Sequence, residues 1–256
     1  MHRFDGHRAL ITGAGSGIGQ ATVHRLLAEG ARVVAADIDA DGLRSTADRA
    51  AEDGTAGRLE TRVLDIADEA AVRTGVAAAV AGLGGLDVLV NAAGILRSAH
   101  THETGLDLFN KIISINLTGT FLVTREALPA LLEGRSPVVV NFSSTSAAFA
   151  HPYMAAYAAS KGGIQAMTHA IASEYSKQGL RAVCVAPGSI ASGMTRGRVP
   201  GLPEDADMTL FAKLTPALGE GFAAPETVAG VIAMLASQDG AFITGTEIRI
   251  DGGTHM

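Results

Sequence analysis

Short apolar runs alternate with helical stretches along the whole chain, and this rhythm limits the fold more than any other feature. The strand candidates are Arg8 to Thr12, Arg32 to Ala36, Arg62 to Leu64, Asp87 to Val90, Val138 to Phe142, Ala182 to Val185 and Glu247 to Ile250. Helical patterns separate them: Ile18 to Glu29, a helix after Asp39, Glu103 to Leu132 and Ala155 to Lys177. Strands that are apolar throughout are buried on both faces, so the pattern reads as βαβ units around a parallel sheet covered by helices on both sides. Such crossovers are right-handed almost without exception. No linker or tandem repeat divides the chain, so residues 1–256 are expected to form a single doubly wound α/β domain.

One stretch breaks the rhythm. Between Gly188 and Pro225 no strand is expected, only a loop and a short helix around Leu210 to Leu214. So long an irregular segment in a compact domain usually has a functional role, and residues 189–224 read as a substrate lid. Met194, Val199, Leu202, Met208, Leu210 and Phe211 give it an apolar face, which suits a lipophilic substrate.

Composition narrows the setting. A formal net charge of −6 without a basic run excludes nucleic acid as a partner. The lone cysteine, Cys184, rules out an intrachain disulfide and fits a reducing compartment. Met1 to Gly6 lacks the apolar stretch of a signal peptide, and no apolar run approaches the length of a membrane span. The chain is therefore expected to be soluble and cytoplasmic.

The first strand candidate runs into Thr12-Gly13-Ala14-Gly15-Ser16-Gly17-Ile18-Gly19 and then a helix. Glycines allow a tight turn and close approach of a pyrophosphate, which sits on the helix N-terminus where free N–H groups and the dipole favour anions. The spacing is G-x-x-x-G-x-G through Gly13, Gly17 and Gly19. Asp37 closes the second strand, where an acidic group accepts hydrogen bonds from adenosine ribose hydroxyls and repels a 2′-phosphate. Asp39 suits the N-cap of the next helix. No Arg or Lys stands in the glycine loop, and Ile38 follows Asp37, so the cofactor expected is NAD and not NADP.

Tyr157 and Lys161 lie four apart at the start of a helix and share a face. A phenol titrates near 10 and is a poor base at neutral pH, and an ammonium alongside favours the phenolate. Ser143 and Ser144 stand at the C-terminal end of the fifth strand, where open α/β sheets place ligands. Asn116 is a mediocre helix former within a helical stretch; from the residues alone it is either a surface position or a functional one. Cys184 reads as a small core residue. His100 and His102 lack a third ligand at a telling spacing, so no metal is assigned. The loops His100 to Glu103 and Phe149 to Met154 are expected to border the substrate mouth, with His151 as a substrate contact.

Taken together, Thr12-Gly13-x-x-x-Gly17-x-Gly19, Asn91-Ala92-Ala93-Gly94, Ser144, Tyr157-x-x-x-Lys161 and Pro187-Gly188 resemble the short-chain dehydrogenases/reductases. The match runs in order to Ile243-Thr244-Gly245 and Asp251-Gly252-Gly253. The resemblance implies a seven-stranded sheet in the order 3-2-1-4-5-6-7 and selects Ser144 over Ser143, because thirteen residues separate it from Tyr157. It implies a Ser144–Tyr157–Lys161 triad, with Tyr157 as acid/base, Ser144 holding the substrate oxygen, and Lys161 binding the ribose and tuning the tyrosine. Asn116 would hold a water in a proton relay. Ser16 and Ile18 of the glycine loop, Ile38 beside Asp37, and Asp65 and Ile66 at the adenine would complete one end of the cofactor site. Asn91, Ala92 and Gly94, then Pro187, Gly188, Ile190 and Ser192, would complete the other. Ser144, His151, Tyr157 and Met194 would meet substrate. The family's enoyl reductases space tyrosine and lysine more widely.

The expected function is an NAD-dependent oxidoreductase of CH–OH groups, passing a hydride between nicotinamide and a carbonyl or secondary alcohol. A 3-oxoacyl-thioester (acyl-carrier-protein) reductase is the alternative, and a non-catalytic dinucleotide sensor a more distant one. A homotetramer built on the two long helices is expected, since Ala158, Ala159, Gly162, Gly163, Ala166 and Ala170 are small enough for close helix approach.

Overall fold

The computed structural model describes residues 2–191, 200–219 and 221–256. Seven strands form one parallel sheet: β1 (Arg8–Thr12), β2 (Arg32–Asp37), β3 (Leu59–Val63), β4 (Val88–Asn91), β5 (Val138–Phe142), β6 (Arg181–Pro187) and β7 (Glu247–Ile250). Their order is β3-β2-β1-β4-β5-β6-β7, as the resemblance implies. The helices are α1 (Gly17–Ala28), α2 (Ala40–Glu52), α3 (Glu69–Leu83), α4 (Leu106–Ile113), α5 (Thr120–Leu132), α6 (Ala155–Tyr175) and α7 (Pro225–Ala236).

Each face of the sheet has its own core. Val23, Leu26 and Leu27 of α1 and Ile232 of α7 pack with Ile11, Val90 and Val140 on one side. Val76 of α3, Val123 and Leu131 of α5 and Ile171 of α6 pack with Leu10, Leu89 and Val139 on the other. Alternate residues of the central strands thus serve opposite cores, which is why those strands carry no polar face. Local chemistry sets the helix starts. Asp39 caps α2 by accepting from the Asp41 N–H at 3.0 Å. Asp68 caps α3 by accepting from Ala70 and Ala71, and Pro225 opens α7. The strand order reverses between β1 and β4, and the crevice beyond their C-terminal ends is where such sheets place ligands.

Several features differ from expectation. The third strand begins at Leu59, not Arg62; at the sheet edge its Glu60 and Arg62 are polar, so no apolar run marks it. The stretch read as one helix from Glu103 starts at Leu106 after a separate 3₁₀ turn at Thr101–Glu103. It then widens into a π-helical turn at Ser114–Gly119 before α5. The helix over Ala155–Lys177 stops at Tyr175, followed by a 3₁₀ turn that ends at Gly179 in the left-handed region. The segment before Pro225 does touch the sheet margin, through a single parallel bridge between Ile190 and Ala223. No helix among the described residues is long and apolar enough to cross a membrane.

Candidate active site

A cavity of about 600 Å³ opens above the C-terminal ends of the strands. At one end the backbone is shaped for an anion. Gly13 has φ +68°, and a Cβ there would lie 2.5 Å from the Ala93 nitrogen. A Cβ on Gly19 would lie 2.0 Å from the Gly13 carbonyl oxygen. The chain can close this tightly only without side chains. Ser16, the N-cap of α1, makes no side-chain cap bond, and no acidic residue stands in the first turn, so the helix N-terminus keeps its attraction for negative charge. Asp37 Oδ2 accepts from the Gly15 N–H at 2.8 Å and Oδ1 from the Asp39 N–H at 2.9 Å. A carboxylate has about four acceptor positions, which leaves room for ribose hydroxyls. Ile38, Asp65 and Ile66 line the same end, with Leu64. The residues fit a dinucleotide. When bound there, a nicotinamide dinucleotide supplies an acceptor or donor of hydride.

The other end holds the three side chains of the expected acid–base cluster. The Lys161 Nζ donates to the Phe142 carbonyl at 2.8 Å and lies 5.6 Å from the Tyr157 ring centroid. Ser144 hydrogen-bonds the Tyr157 hydroxyl, while its own oxygen accepts from the Ser146 N–H at 3.2 Å. Burial pushes the phenol up to about 12, against the Ser144 bond that lowers it. Burial likewise pushes Lys161 down to about 8. The expected pull of the ammonium on the phenol is therefore outweighed by desolvation here, because the ammonium is engaged by a carbonyl and not by the phenol oxygen.

Asn116 sits in the π-helical turn, fully buried. Its amide clasps the backbone of Ile95, with Oδ1 accepting from the Ile95 N–H at 2.8 Å and Nδ2 donating to the Ile95 carbonyl at 2.9 Å and to Ser160 Oγ at 3.1 Å. From within that turn the side chain thus fastens the loop after β4 to α6. Ser144, His151, Tyr157, Lys161, Ala92, Gly94, Pro187, Gly188 and Ile190 all line the cavity.

Other expected positions fall elsewhere. The Asn91 amide is buried below the cavity, where Nδ2 donates to Thr124 Oγ1 at 3.0 Å and to Asn141 Oδ1 at 2.9 Å. Asn141 in turn donates to Thr168 Oγ1, as does Cys184. Asn91 therefore braces β4 against β5 and the two helices above them and does not line the cavity. Cys184 is buried, with its thiol pushed up to about 11 by desolvation. The loop His100 to Glu103 does not reach the cavity lining; His100 packs edge-on against Tyr153 at 5.2 Å and pairs with Asp205 at 3.0 Å. Of the apolar lid residues, Phe211 lines the cavity, whereas Met208 and Leu210 are 60% and 50% exposed and face away. Ser192, Met194 and Val199 lie outside the described residues.

Three contributors escaped the sequence reading. Tyr153, in the left-handed region at φ 64°, accepts from the Asp207 N–H at 2.9 Å and stacks beside Phe211. Thr145 bonds His151. Thr254, past the end of β7, lines the cavity; its place at a strand C-terminus was the available signal.

Comparison with known proteins agrees with this architecture. The family model described as "Enoyl-(Acyl carrier protein) reductase" matches residues 13–255. The 3-oxoacyl-[acyl-carrier-protein] reductase FabG of Thermotoga maritima is 39% identical over 98% of each chain. The chain belongs to the short-chain dehydrogenase/reductase family. Among solved members, a short chain dehydrogenase from Mycobacterium paratuberculosis bound to NAD superposes with a TM-score of 0.92, is 30% identical and covers 98% of each chain. One from Burkholderia cenocepacia in complex with NADP has a TM-score of 0.87 and 29% identity, covering 99% of this chain and all of that one. Short-chain dehydrogenases/reductases with this fold therefore take either dinucleotide, and the choice rests on individual residues.

Proposed function

We propose that this short-chain dehydrogenase/reductase is an NAD-dependent oxidoreductase that interconverts a secondary alcohol and its carbonyl compound. The observation that carries the reading is the cluster of buried Ser144 and Lys161 with half-buried Tyr157, beside a glycine cradle shaped for a pyrophosphate. Ser144 orients the substrate oxygen, and Tyr157 exchanges the proton with it. Lys161, which donates to the Phe142 carbonyl, would hold a ribose hydroxyl of the dinucleotide and lower the cost of the phenolate. Asn116 holds the loop at Ile95 against α6.

Asp37 supports NAD over NADP. It faces the ribose end of the cavity, and among the described lining residues Lys161 is the only lysine or arginine. The nearest base downstream, Arg44, is exposed and paired with Asp41. The substrate end is walled by Leu96, Met154, Phe211, Leu214 and Phe222, which suits an apolar carbon skeleton. The FabG likeness favours a second reading, reduction of a 3-oxoacyl thioester. Assembly as a homotetramer through α4–α5 and α6 is supported by exposed Phe109 and Phe121 on the first pair and by exposed Ala159, Ala166 and Ala170 on the second; light scattering at micromolar concentration tests it, and a monomer refutes it. A cytoplasmic location suits the unpaired cysteine. The activity is tested by following NADH with a panel of secondary alcohols, ketones and 3-oxoacyl thioesters; turnover of thioesters alone replaces the first reading with the second.

A further inference from the structure

Tyr157 stands in the first turn of α6, and that turn has little of its own to hold it. Met154, the N-cap, makes no side-chain cap bond, and no acidic residue stands in the first turn. A helix start of this kind leaves its first N–H groups without side-chain acceptors and tends to fray. The anchor lies one turn further in. Ser160 is fully buried; its hydroxyl donates to the Tyr157 carbonyl at 2.7 Å, and its oxygen accepts from Asn116 Nδ2 at 3.1 Å. Asn116 is held in turn. Beyond its clasp on Ile95, its backbone carbonyl accepts from the Thr120 hydroxyl at 2.7 Å. The Thr120 carbonyl accepts from the Thr124 hydroxyl at 2.7 Å, and Thr124 accepts from Asn91 of β4 at 3.0 Å. The Tyr157 backbone is thereby joined to the sheet through Ser160, Asn116, Thr120, Thr124 and Asn91, all of them buried.

We infer that Ser160 is a positioning residue, which passes the grip of the π-helical turn to the Tyr157 backbone and so sets where the phenol stands against Ser144. This role rests on the oxidoreductase reading above. A hydroxyl has one proton to give and lone pairs to accept with. Ser160 spends the proton on Tyr157, which leaves its oxygen for Asn116. A bond from a hydroxyl to its own helix is ordinary, and Thr22 on α1 makes one to the Ile18 carbonyl at 2.7 Å. Ser160 differs in its second bond, which crosses from α6 to the turn before α5. The crossing point lies close to the site. A Cβ on Gly94 would come within 3.1 Å of Asn116 Oδ1 and 3.7 Å of Lys161 Nζ, so the loop after β4, the π-helical turn and α6 meet there. Ser160 itself does not line the cavity, and it acts only through the groups it holds. Misplacing a proton donor by about an ångström costs up to roughly 10²-fold in rate, which is why the first turn of α6 needs such an anchor.

Ser160→Ala nearly keeps the volume and removes both bonds. It should lower kcat by about three- to tenfold, the scale of one neutral hydrogen bond, while KM for the alcohol and for NAD stays near native. The midpoint of the kcat–pH profile should move with it, which a loss of folded protein alone would not do. In an Asn116→Ala background the same change should cost less than about twofold, because the bond it removes is already gone. Ser160→Cys, with a weaker donor of similar size, should show the same changes to a smaller degree, and it replaces the alanine variant if that one does not fold. A second readout needs no turnover. The chain has three tyrosines, so the ζ-carbon NMR resonance of Tyr157, assigned by its loss in Tyr157→Phe, follows the phenol directly. It should shift in Ser160→Ala while those of Tyr153 and Tyr175 hold. Native kcat in Ser160→Ala, an equal fall in both backgrounds, or an unmoved pH profile or Tyr157 resonance overturns the inference. Turnover of neither alcohol nor ketone by the native protein overturns the oxidoreductase reading instead, and the Tyr157 resonance then still decides whether Ser160 positions the phenol.

Discussion

The two walls of the cavity are built on different principles. The catalytic wall stands on α6 and the ends of β4 and β5, and beneath it runs a buried polar chain. Asn91, Thr124, Asn141, Thr168 and Cys184 bond one another with donor–acceptor separations of 2.8 to 3.1 Å. The facing wall is made of residues 200–219, 221–223 and the C-terminal tail. There Met208, Leu218 and Phe222 are exposed, and among the described residues the wall is tied down by the Ile190–Ala223 bridge, the Tyr153–Asp207 and His100–Asp205 bonds, the Ser98 N–H on the Pro200 carbonyl, the Ser189 hydroxyl on the Leu214 carbonyl, and the Ala217 and Leu218 N–H groups on the Gly252 carbonyl. A wall that must hold a proton donor within hydrogen-bond reach is locked into the core. One that meets varied carbon skeletons is laid over the surface with loose support.

The sharpest way to break this contrast is at Tyr157. Tyr157→Phe keeps the ring and its packing but removes the proton path, so turnover should fall by roughly 10²-fold or more while NAD affinity stays near native. Near-native turnover sinks the mechanism. Below the site, Asn141→Leu should destabilise the fold by about 2–4 kcal/mol, because it leaves the Asn91 amide and the Thr168 hydroxyl short of partners in the core. Urea unfolding reads this directly. A change under 0.5 kcal/mol would mean that the polar chain is ornamental. On the facing wall, by contrast, Phe211→Ala should raise KM roughly five- to tenfold and shift the unfolding midpoint little, since its ring is only partly covered.

Between the walls lies the cofactor end, where charge decides. Two unit charges 4 Å apart repel by about 4 kcal/mol at an effective dielectric of about 20. After water and salt reduce that several-fold, Asp37 should still favour NAD over NADP by roughly tenfold to a hundredfold in kcat/KM. Asp37→Asn is the better variant than Asp37→Ala. It keeps an oxygen for the Gly15 N–H and removes only the charge, so the bias should relax while the glycine loop stays in place. Equal or better use of NADP by the native protein refutes the assignment.

The same contrast explains what was legible in the sequence. The catalytic wall is written in residue types at fixed spacing: a glycine turn after a strand, a tyrosine and lysine one helical turn apart, a serine at a strand end. Each is dictated by local geometry, and the structure brings Gly13, Asp37, Ser144, Tyr157 and Lys161 into one cavity. The π-helical turn at Asn116 left only a trace, a poor helix former inside a helix. The facing wall depends on tertiary approach. Composition marked the segment as apolar but not which of Met208, Leu210 and Phe211 turns inward, because an irregular chain has no period to read. The tail gave no local sign that His255 stacks on Phe149, more than a hundred residues away. Asn91 lies inside a glycine-ended motif, and only tertiary packing shows that its amide bonds Thr124 and Asn141.

The smallest effect expected separates the walls by pH. His24 on α1 is buried, and neither ring nitrogen has a partner. Burial lowers its pKa and Arg49 adds to this, while Asp53 and Glu226 pull the other way. His151, in the loop between β5 and α6, is held down at about 4 by its burial and then by His255. In the unfolded chain both return to about 6.5. As pH falls through that value the unfolded state takes up protons that the native state refuses, so stability is complete above about 6.5 and declines toward about 4. His100, raised by its bond to Asp205, acts in the opposite sense, but its partner carboxylate is exposed and the pair is screened by water. The carboxylates Glu29, lowered by Arg3, and Asp87, lowered by Arg8 against its burial, lose their contributions only at lower pH. The unfolding midpoint should therefore drop between pH 6.5 and 5 before any carboxylate protonates. His24→Leu should recover about 1 kcal/mol of that drop, or roughly 2–4 °C for a chain of this size, since α1 still packs on α7 but has no imidazole to charge. His151→Phe should recover less, because its ring borders the open cavity, where water can reach the imidazole without unfolding. If the midpoint is flat over this range in the native protein, or if the His24→Leu profile runs parallel to it, the buried imidazole is not the group that titrates.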